Sequence, residues 1–286
     1  MEKTGLVLEG GAMRGLFSVG VMDVLMEHKQ TFDGIIGVSA GATFGCNYNS
    51  GQIGRALRYN LRFCRDWRYC SIRSLLQTGD MIGVQFCYRE LPYQLDKFDF
   101  EAFNANPTPF TLVATDVHTG NPVYKELRNM STDRMLDWIQ ASASMPLVSK
   151  VVRIDDGEYL DGGISDSIPL RYFREQGYQC CLVVLTQPKG FIKKPMGGMT
   201  LFRWGLRKYP LIVEALANRH EMYNAQLTYL ADQEQAGNAL VIAPEEPLPI
   251  GRVEMNPEKI QLVYNMGREA AIRQWDKIDR FLNHNK

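Results

Sequence analysis

The sequence predicts an α/β fold with three layers, α/β/α, built around a mostly parallel central sheet. Short apolar runs typical of buried strands alternate with longer helical patterns. Residues 5–9 (GLVLE) and Gly34–Val38 (GIIGV) are two such runs, and a helical pattern over Gly15–Glu27 separates them. Strands that alternate with helices favour a parallel sheet covered by helices on both faces.

The same reasoning predicts the later elements. A helix over 132–142 is expected to begin at the capping residue Ser131 and to end before Pro146. Glycines and prolines mark the one soft boundary in the chain, near 188–210. The remaining patterns predict strands at 110–117, 122–125, 158–160, 180–186 and 239–243, and helices at 55–65, 169–176, 211–235 and 257–282.

Composition limits the class of protein. The 286 residues carry 32 basic and 32 acidic side chains, so no net charge favours nucleic acid as a partner. The six cysteines lack the spacing of a zinc site, and we expect no metal and no cofactor. Neither a secretory signal pattern nor an apolar run of 18 residues occurs. We therefore expect a cytoplasmic protein, with peripheral contact to the inner membrane face as an option.

The strongest catalytic signal is Gly37-Val38-Ser39-Ala40-Gly41, which lies between a predicted strand and a predicted helix. This G-x-S-x-G pattern is typical of a nucleophile elbow, a tight turn that lifts a serine hydroxyl out of the sheet edge. Gly37 and Gly41 stand where close backbone approach excludes a side chain. The helix that follows points its N-terminus at the serine and favours the negative charge that develops on attack.

A glycine-rich loop, Gly10–Gly15 (GGAMRG), follows the first predicted strand. A dinucleotide-binding loop is one interpretation, but Ala12 occupies its second glycine position and no acidic residue ends the second strand. An oxyanion hole fits better, because a βαβ unit brings the ends of adjacent parallel strands together. Arg14 would add positive charge beside the oxyanion or hold a lipid phosphate.

The sequence contains no equally clear signal for the general base that would accept the proton of Ser39. For His28, His118, His220 and His284, a surface or packing role fits better than catalysis. The remaining candidate is Asp161, followed by Gly162 and Gly163, whose lack of side chains lets backbone approach the carboxylate. A carboxylate partly removed from water has a raised affinity for protons, as a base requires.

Together these motifs resemble the patatin-like phospholipases, particularly their bacterial members. That family couples a glycine-rich oxyanion loop, a G-x-S-x-G serine and a D-G-G aspartate in the order found here. The resemblance implies a patatin-like fold in which Ser39 is the nucleophile and Asp161 the general base. It also implies oxyanion donors at the backbone of Gly11 and Ala12, with Gly10, Arg14 and Gly15 in the same loop.

The resemblance covers residues 5–171 and makes this part the expected catalytic region, with 172–286 completing the fold. Two further stretches look familiar, Ala114-Thr115-Asp116 and 141–146 (ASASMP). One departure is Ala12, where the family has a third glycine. If that position has a positive φ, alanine would strain the loop by ~1 kcal/mol or more.

The expected function is hydrolysis of carboxylic esters of lipids, of phospholipase A or lysophospholipase type, through an acyl-enzyme intermediate. Alternatives are an α/β-hydrolase with a histidine-containing triad, Asp161 then His220, or a weakly active lipid-binding or acyltransferase protein. The segment 189–213 carries six basic residues and no acidic one, interleaved with apolar side chains. It fits peripheral membrane contact, or else simple packing on the body with solvated charges.

Overall fold

The computed structural model describes residues 2–283 and confirms the expected α/β/α layering. A single sheet of eight strands, in the order β5-β6-β3-β2-β1-β7-β8 with β4 also paired to β3, lies between helical layers. The strands are β1 Lys3–Leu8, β2 Gly34–Val38, β3 Phe110–Asp116, β4 Pro122–Glu126, β5 Val152–Ile154, β6 Gly157–Asp161, β7 Tyr178–Val184 and β8 Ala239–Ile242.

The central body of the sheet is parallel. Strands β3, β2, β1, β7 and β8 run in one direction, whereas β4 and β6 pair antiparallel with β3, and β5 pairs antiparallel with β6. The carboxyl ends of parallel strands meet at one edge, which is where α/β proteins place their ligand sites. The loops after β1 and β2 therefore leave the sheet side by side.

Helices cover both faces of the sheet. The longer helices are α1 Gly15–Glu27, α2 Ala40–Asn49, α3 Arg55–Phe63, α6 Thr132–Ser142, α9 Pro210–Gln235, α10 Pro257–Arg273 and α11 Trp275–Asn283. The shorter ones are α4 Ile72–Thr78, α5 Phe100–Ala105, α7 Leu170–Glu175 and α8 Met199–Gly205, and a π-helical segment spans Phe86–Leu95.

The sheet has a hydrophobic core on each face. Successive residues of a strand point to opposite faces, so one strand can contribute side chains to both cores. In β1, Leu6 and Leu8 face the core that holds α1, α2 and α10, whereas Val7 faces the core under α7 and α9. All three side chains are fully buried. Within residues 2–283, no helix has the length and apolar character needed to cross a bilayer.

Most predicted boundaries lie within two residues of the observed ones, and the α6 cap is confirmed because the Ser131 hydroxyl accepts from Arg134 N–H. The single closing helix predicted over 257–282 is wrong. Gln274 leaves helical geometry at φ −101° and ψ 10°, and Trp275 stacks on His28 with ring centroids 3.7 Å apart. The break thus coincides with a contact to the end of α1, and α11 begins at Trp275. The hydrophobic periodicity of residues 257–282 could not predict this break, because such a pattern contains no information about contacts with distant residues.

The arginine stripe on α3 packs against the body. Arg55 is buried and forms an ion pair with Asp96, which Arg58 also contacts through two hydrogen bonds. Arg62 and Arg65 donate to backbone carbonyls of neighbouring segments. These contacts hold the arginines of α3 against the body of the protein.

Candidate active site

Sheet register brings the serine and aspartate motifs together. Val38, the last residue of β2, pairs with Val113 of β3, so Ser39 follows at the level of Ala114. Ala114 in turn pairs with Asp161, the last residue of β6. Two motifs 122 residues apart in sequence thus meet at the end of β3.

Ser39 occupies a strained turn between β2 and α2, with φ 54° and ψ −117°. Non-glycine residues adopt positive φ rarely, and such conformations concentrate at functional sites. A Cβ on Gly37 would lie 2.5 Å from the carbonyl oxygen of Gly41, and one on Gly41 would collide with the carbonyl of Leu8. The two glycines therefore let the turn close tightly under Ser39.

The Ser39 hydroxyl donates a 2.7 Å hydrogen bond to Oδ2 of Asp161. Oδ1 of the same carboxylate accepts from the backbone N–H of Gly163 at 2.7 Å. Burial raises the pKa of Asp161, while the Ser39 hydrogen bond and the nearby guanidinium of Arg219 act in the opposite direction. A Cβ on Gly162 would collide with the carbonyl of Val113, which explains the first glycine of the motif.

The two familiar stretches hold the pair in place. Ser142, the last residue of α6, accepts from the backbone N–H of Ser39 at 3.0 Å and donates to the carbonyl of Val113 at 2.6 Å. Thr115 donates from its hydroxyl to the carbonyl of Asp161, and the Asp161 N–H donates to the carbonyl of Ser144. Hydrogen bonds therefore fix the backbone on both sides of the pair, which restricts its geometry.

The glycine-rich loop lies directly beside Ser39. A Cβ on Gly10 would lie 3.0 Å from the Cβ of Ser39, and a Cβ on Gly11 would lie 2.5 Å from Oγ1 of Thr186. The last loop glycine, Gly15, begins α1, where a Cβ would lie 2.9 Å from that of Ala40. No described residue accepts a hydrogen bond from the N–H groups of Gly11 and Ala12.

Ala12 has φ 51°, in the left-handed region. At this positive φ, the backbone of Ala12 is strained by ~1 kcal/mol or more relative to a glycine in the same position. Arg14 follows in the same turn, with its Nε buried and without a hydrogen-bond partner among residues 2–283. Burial lowers the pKa of the Arg14 guanidinium, while Glu9 opposes this effect.

Two cavities meet at Ser39. The first, of about 140 Å³, is apolar and lies between α2, α6 and the π-helical segment. Aliphatic, aromatic and sulfur-containing side chains dominate its lining, among them Met13, Phe44, Tyr88, Leu91 and Ile139. Such a surface favours a hydrocarbon chain over a polar group.

The second cavity, of about 490 Å³, carries Asp161 and the loop residues Gly10, Gly11, Ala12 and Arg14. Its lining also includes four residues that the sequence motifs did not single out: Glu9, Lys193, Arg219 and Arg252. They come from separate segments, and none has a local pattern that distinguishes it from a surface charge. Only the folded chain reveals that they converge.

The described histidines do not join the site. His220 contacts the carbonyl of Ala217 through Nδ1, His118 lies 3.1 Å from Glu158, and His28 stacks on Trp275. None of these three hydrogen-bonds Ser39 or Asp161, and none lines either cavity. The triad built on His220 therefore lacks support, whereas His284 lies outside the described residues.

Comparison with known proteins decides the family. The profile of the patatin-like phospholipase family matches residues 6–174. The chain belongs to this family. Residues 209–283 match a second family, DUF6363, which is described as a domain of unknown function.

Several relatives support the assignment. An uncharacterized protein of Escherichia coli, YjjU, is 28% identical over 71% of this chain and 57% of its own length. The lysophospholipase NTE1 of Meyerozyma guilliermondii is 27% identical over 64% of this chain, but the match covers 12% of that protein. The chain thus spans just over half of the first relative and a small part of the second.

Among solved structures, VipD from Legionella pneumophila superimposes with a TM-score of 0.47 and 13% sequence identity. The alignment covers 97% of this chain and 67% of VipD.

Proposed function

We propose that this protein is a serine acyl-hydrolase that cleaves carboxylic esters of lipids, of phospholipase A or lysophospholipase type. The observation that carries the proposal is the 2.7 Å hydrogen bond from the Ser39 hydroxyl to Asp161, at the point where an apolar and a polar cavity meet. Membership of the patatin-like phospholipase family supports the lipid substrate class.

In the first half of the reaction, Ser39 Oγ attacks the ester carbonyl carbon and its proton passes to Asp161. The ester C–O bond then breaks, the leaving alcohol takes the proton from Asp161, and the acyl group remains on Ser39. In the second half, water attacks the acyl-enzyme and Asp161 accepts its proton. The fatty acid leaves as Ser39 recovers that proton.

Asp161 is suited to this role because burial raises its pKa and hence its affinity for a proton. Its second oxygen is held by Gly163, which orients the first toward Ser39. No histidine is required for this scheme, since the carboxylate contacts the nucleophile directly.

The oxyanion hole in this proposal is the loop that contains Gly10, Gly11, Ala12, Arg14 and Gly15. The backbone N–H groups of Gly11 and Ala12 are the donors, and Arg14 adds positive charge beside them. Support comes from the contact of Gly10 with Ser39 and from the absence of described acceptors for those N–H groups. A donor of this kind contributes about 10²–10³ in kcat in other enzymes.

We also propose that 5–171 forms the catalytic region and that 172–286 completes its fold. Strands β7 and β8 extend the same sheet beyond β1, which supports the proposal that the second part completes the fold of the first. A cytoplasmic location is a further part of the proposal. It is supported by the free thiols of Cys46, Cys64, Cys70, Cys87 and Cys181, which are typical of a reducing compartment.

Peripheral membrane contact through 189–213 completes the proposal. Helix α8 has no buried residue, and Ile192, Leu201 and Trp204 are 74%, 59% and 73% exposed. Exposed apolar side chains among basic ones suit the surface of an anionic bilayer. The start of the segment is anchored on α9, where Lys189 pairs with Glu234 and Phe191 packs against Tyr223.

A panel of phospholipids and lysophospholipids tests the reaction class. The purified protein should release free fatty acid, and Ser39→Ala should lower the rate at least about 10³-fold without changing the melting temperature by more than a few degrees. Release of the phosphorylated headgroup in place of fatty acid would rule out the proposed bond. Equal fatty acid release by the Ser39→Ala variant would rule out the proposed nucleophile.

A further inference from the structure

Four cationic side chains from four separate segments line the larger cavity at Ser39. Arg14 lies before α1, Lys193 between β7 and α8, Arg219 on α9 and Arg252 between β8 and α10. The whole chain has no net charge, so this cavity is a local concentration of positive charge. Three of the four residues lie beyond the part of the chain that matches the patatin-like family.

Two carboxylates, Glu9 and Asp161, line the same cavity beside the four cations, and both accept hydrogen bonds from other donors. Glu9 accepts from Tyr223 and from Thr186, and burial raises its pKa. None of the four cations forms an ion pair within residues 2–283.

Two of the cations lack the contacts that normally satisfy a buried charge. The Nε of Arg14 is buried without a described partner, a situation that costs free energy unless a ligand supplies an acceptor. Lys193 Nζ lies 4.2 Å from the ring centroid of Tyr223. Burial and the nearby guanidinium of Arg219 together lower the pKa of Lys193 to about 8, although Glu9 acts in the opposite direction. An anion in the cavity would offer an acceptor to the Nε of Arg14 and would stabilise the charged form of Lys193.

We propose that this cavity binds the phosphate of an anionic phospholipid headgroup, with Arg14, Lys193, Arg219 and Arg252 around it. The inference rests on the proposed lipid hydrolase function and specifies its substrate class. Arginine and lysine bind phosphate through charge-assisted hydrogen bonds, which are stronger than neutral ones. A zwitterionic headgroup would bring its own cation into a cavity that already holds four.

The position of the cavity fits this use. It meets the apolar cavity at Ser39, where an ester carbonyl would have to lie. In a glycerophospholipid the ester is joined to hydrocarbon on one side and, through a few bonds, to phosphate on the other. An ester placed at Ser39 can thus extend its acyl chain into one cavity and its phosphate into the second.

Headgroup selectivity tests the proposal with monomeric lipids, so that attraction of the protein to a charged vesicle plays no part. The quantity to measure is the ratio of kcat/KM for dihexanoyl phosphatidylglycerol to that for dihexanoyl phosphatidylcholine. The wild type should favour the anionic lipid, and Arg252→Gln and Lys193→Gln should each lower the ratio at least about tenfold. Lys193→Arg should keep most of the preference. Arg252 is exposed at the rim, so its loss should not disturb folding.

Lys194→Gln is the matched control, because Lys194 is exposed, adjacent to Lys193 and absent from the lining of either cavity. It should leave the ratio unchanged. Equal rates on the two lipids in the wild type would overturn the proposal, as would an anionic preference that survives both Gln variants. A loss of the preference in Lys194→Gln equal to that in Lys193→Gln would do the same.

A binding measurement separates this inference from the proposed hydrolysis. The Ser39→Ala protein should bind dihexanoyl phosphatidylglycerol more tightly than the phosphatidylcholine in calorimetry, and Arg252→Gln in that background should remove the difference. Such binding without turnover in the wild type would refute the hydrolase proposal alone. Tight binding of inorganic phosphate with no discrimination between the lipids would identify a site for free phosphate and overturn the headgroup assignment.

Discussion

At the scale of single residues, the proposed chemistry depends on a carboxylate that is buried and hydrogen-bonded. Asp161 is 7% exposed, and its two oxygens accept from Ser39 and Gly163. Removal from water raises its proton affinity, and those hydrogen bonds stabilise the charged form. Because burial and the hydrogen bonds act in opposite directions on its pKa, the carboxylate can both stay hydrogen-bonded to the serine and accept its proton.

Sequence patterns identify Ser39 and Asp161 because each lies within a short run whose glycines have a local geometric cause. Glu9, Lys193, Arg219 and Arg252 have no such run, since their role arises only where distant segments converge. Glu9 illustrates the difference. It ends an apolar strand beside the glycine loop, yet its partners Thr186 and Tyr223 are 177 and 214 residues away.

Replacement of Ala12 by glycine tests the strain in the proposed oxyanion loop. Glycine tolerates the observed φ of 51°, and relief of ~1–2 kcal/mol of strain is partly offset by ~0.4–1 kcal/mol of added chain entropy in the unfolded state. We expect Ala12→Gly to raise the free energy of unfolding in urea by ~1 kcal/mol or less. Because the N–H remains, kcat should change less than about threefold.

Lys29→Gly is a matched control, because Lys29 has φ 55°, is exposed and follows α1 far from the loop. It should change stability in the same direction and leave kcat unaltered. A tenfold rise in kcat for Ala12→Gly alone would contradict the view that this position supplies only an N–H.

At the scale of elements, the register between strands brings together site residues that are far apart in sequence. The pairs Val38–Val113 and Ala114–Asp161 place the ends of β2 and β6 on the same level, with β3 between them. The pattern of alternating strands and helices predicted the parallel body of the sheet. It did not predict that β6 is antiparallel, because periodicity within a strand carries no information about direction.

The segment 189–213, which contains α8, is where membrane contact can be tested. Replacing both Ile192 and Trp204 by serine removes two exposed apolar side chains that line neither cavity. We expect hydrolysis of vesicle lipid to fall at least about tenfold, because each side chain would lose apolar burial in the bilayer. Hydrolysis of a soluble short-chain ester should stay within twofold.

The control for this variant is Leu262→Ser with Ile272→Ser on α10, where the side chains are 48% and 56% exposed. That pair should leave vesicle hydrolysis unchanged. Equal losses on vesicles and on the soluble ester for the variant at Ile192 and Trp204 would argue against membrane contact through 189–213.

At the scale of the whole molecule, both parts of the chain contribute residues to the candidate site. The part that matches the patatin-like family supplies Ser39, Asp161 and the glycine loop. The remainder adds β7 and β8 to the sheet and provides three of the four cations in the larger cavity. The proposed reaction class therefore rests on sequence motifs, whereas the proposed headgroup preference rests on packing between distant segments.

Fluorophosphonate labelling followed by intact-protein mass spectrometry tests the central claim, a Ser39 nucleophile activated by Asp161. The wild type should gain one adduct, Ser39→Ala should gain none, and Asp161→Asn should react at least about 100-fold more slowly. Asp166→Asn is the matched control, since Asp166 is equally buried but hydrogen-bonds Tyr124 and Gln226. It should label within a few-fold of the wild-type rate. An unlabelled wild type, or labelling of Ser39→Ala at the wild-type rate, would contradict the account.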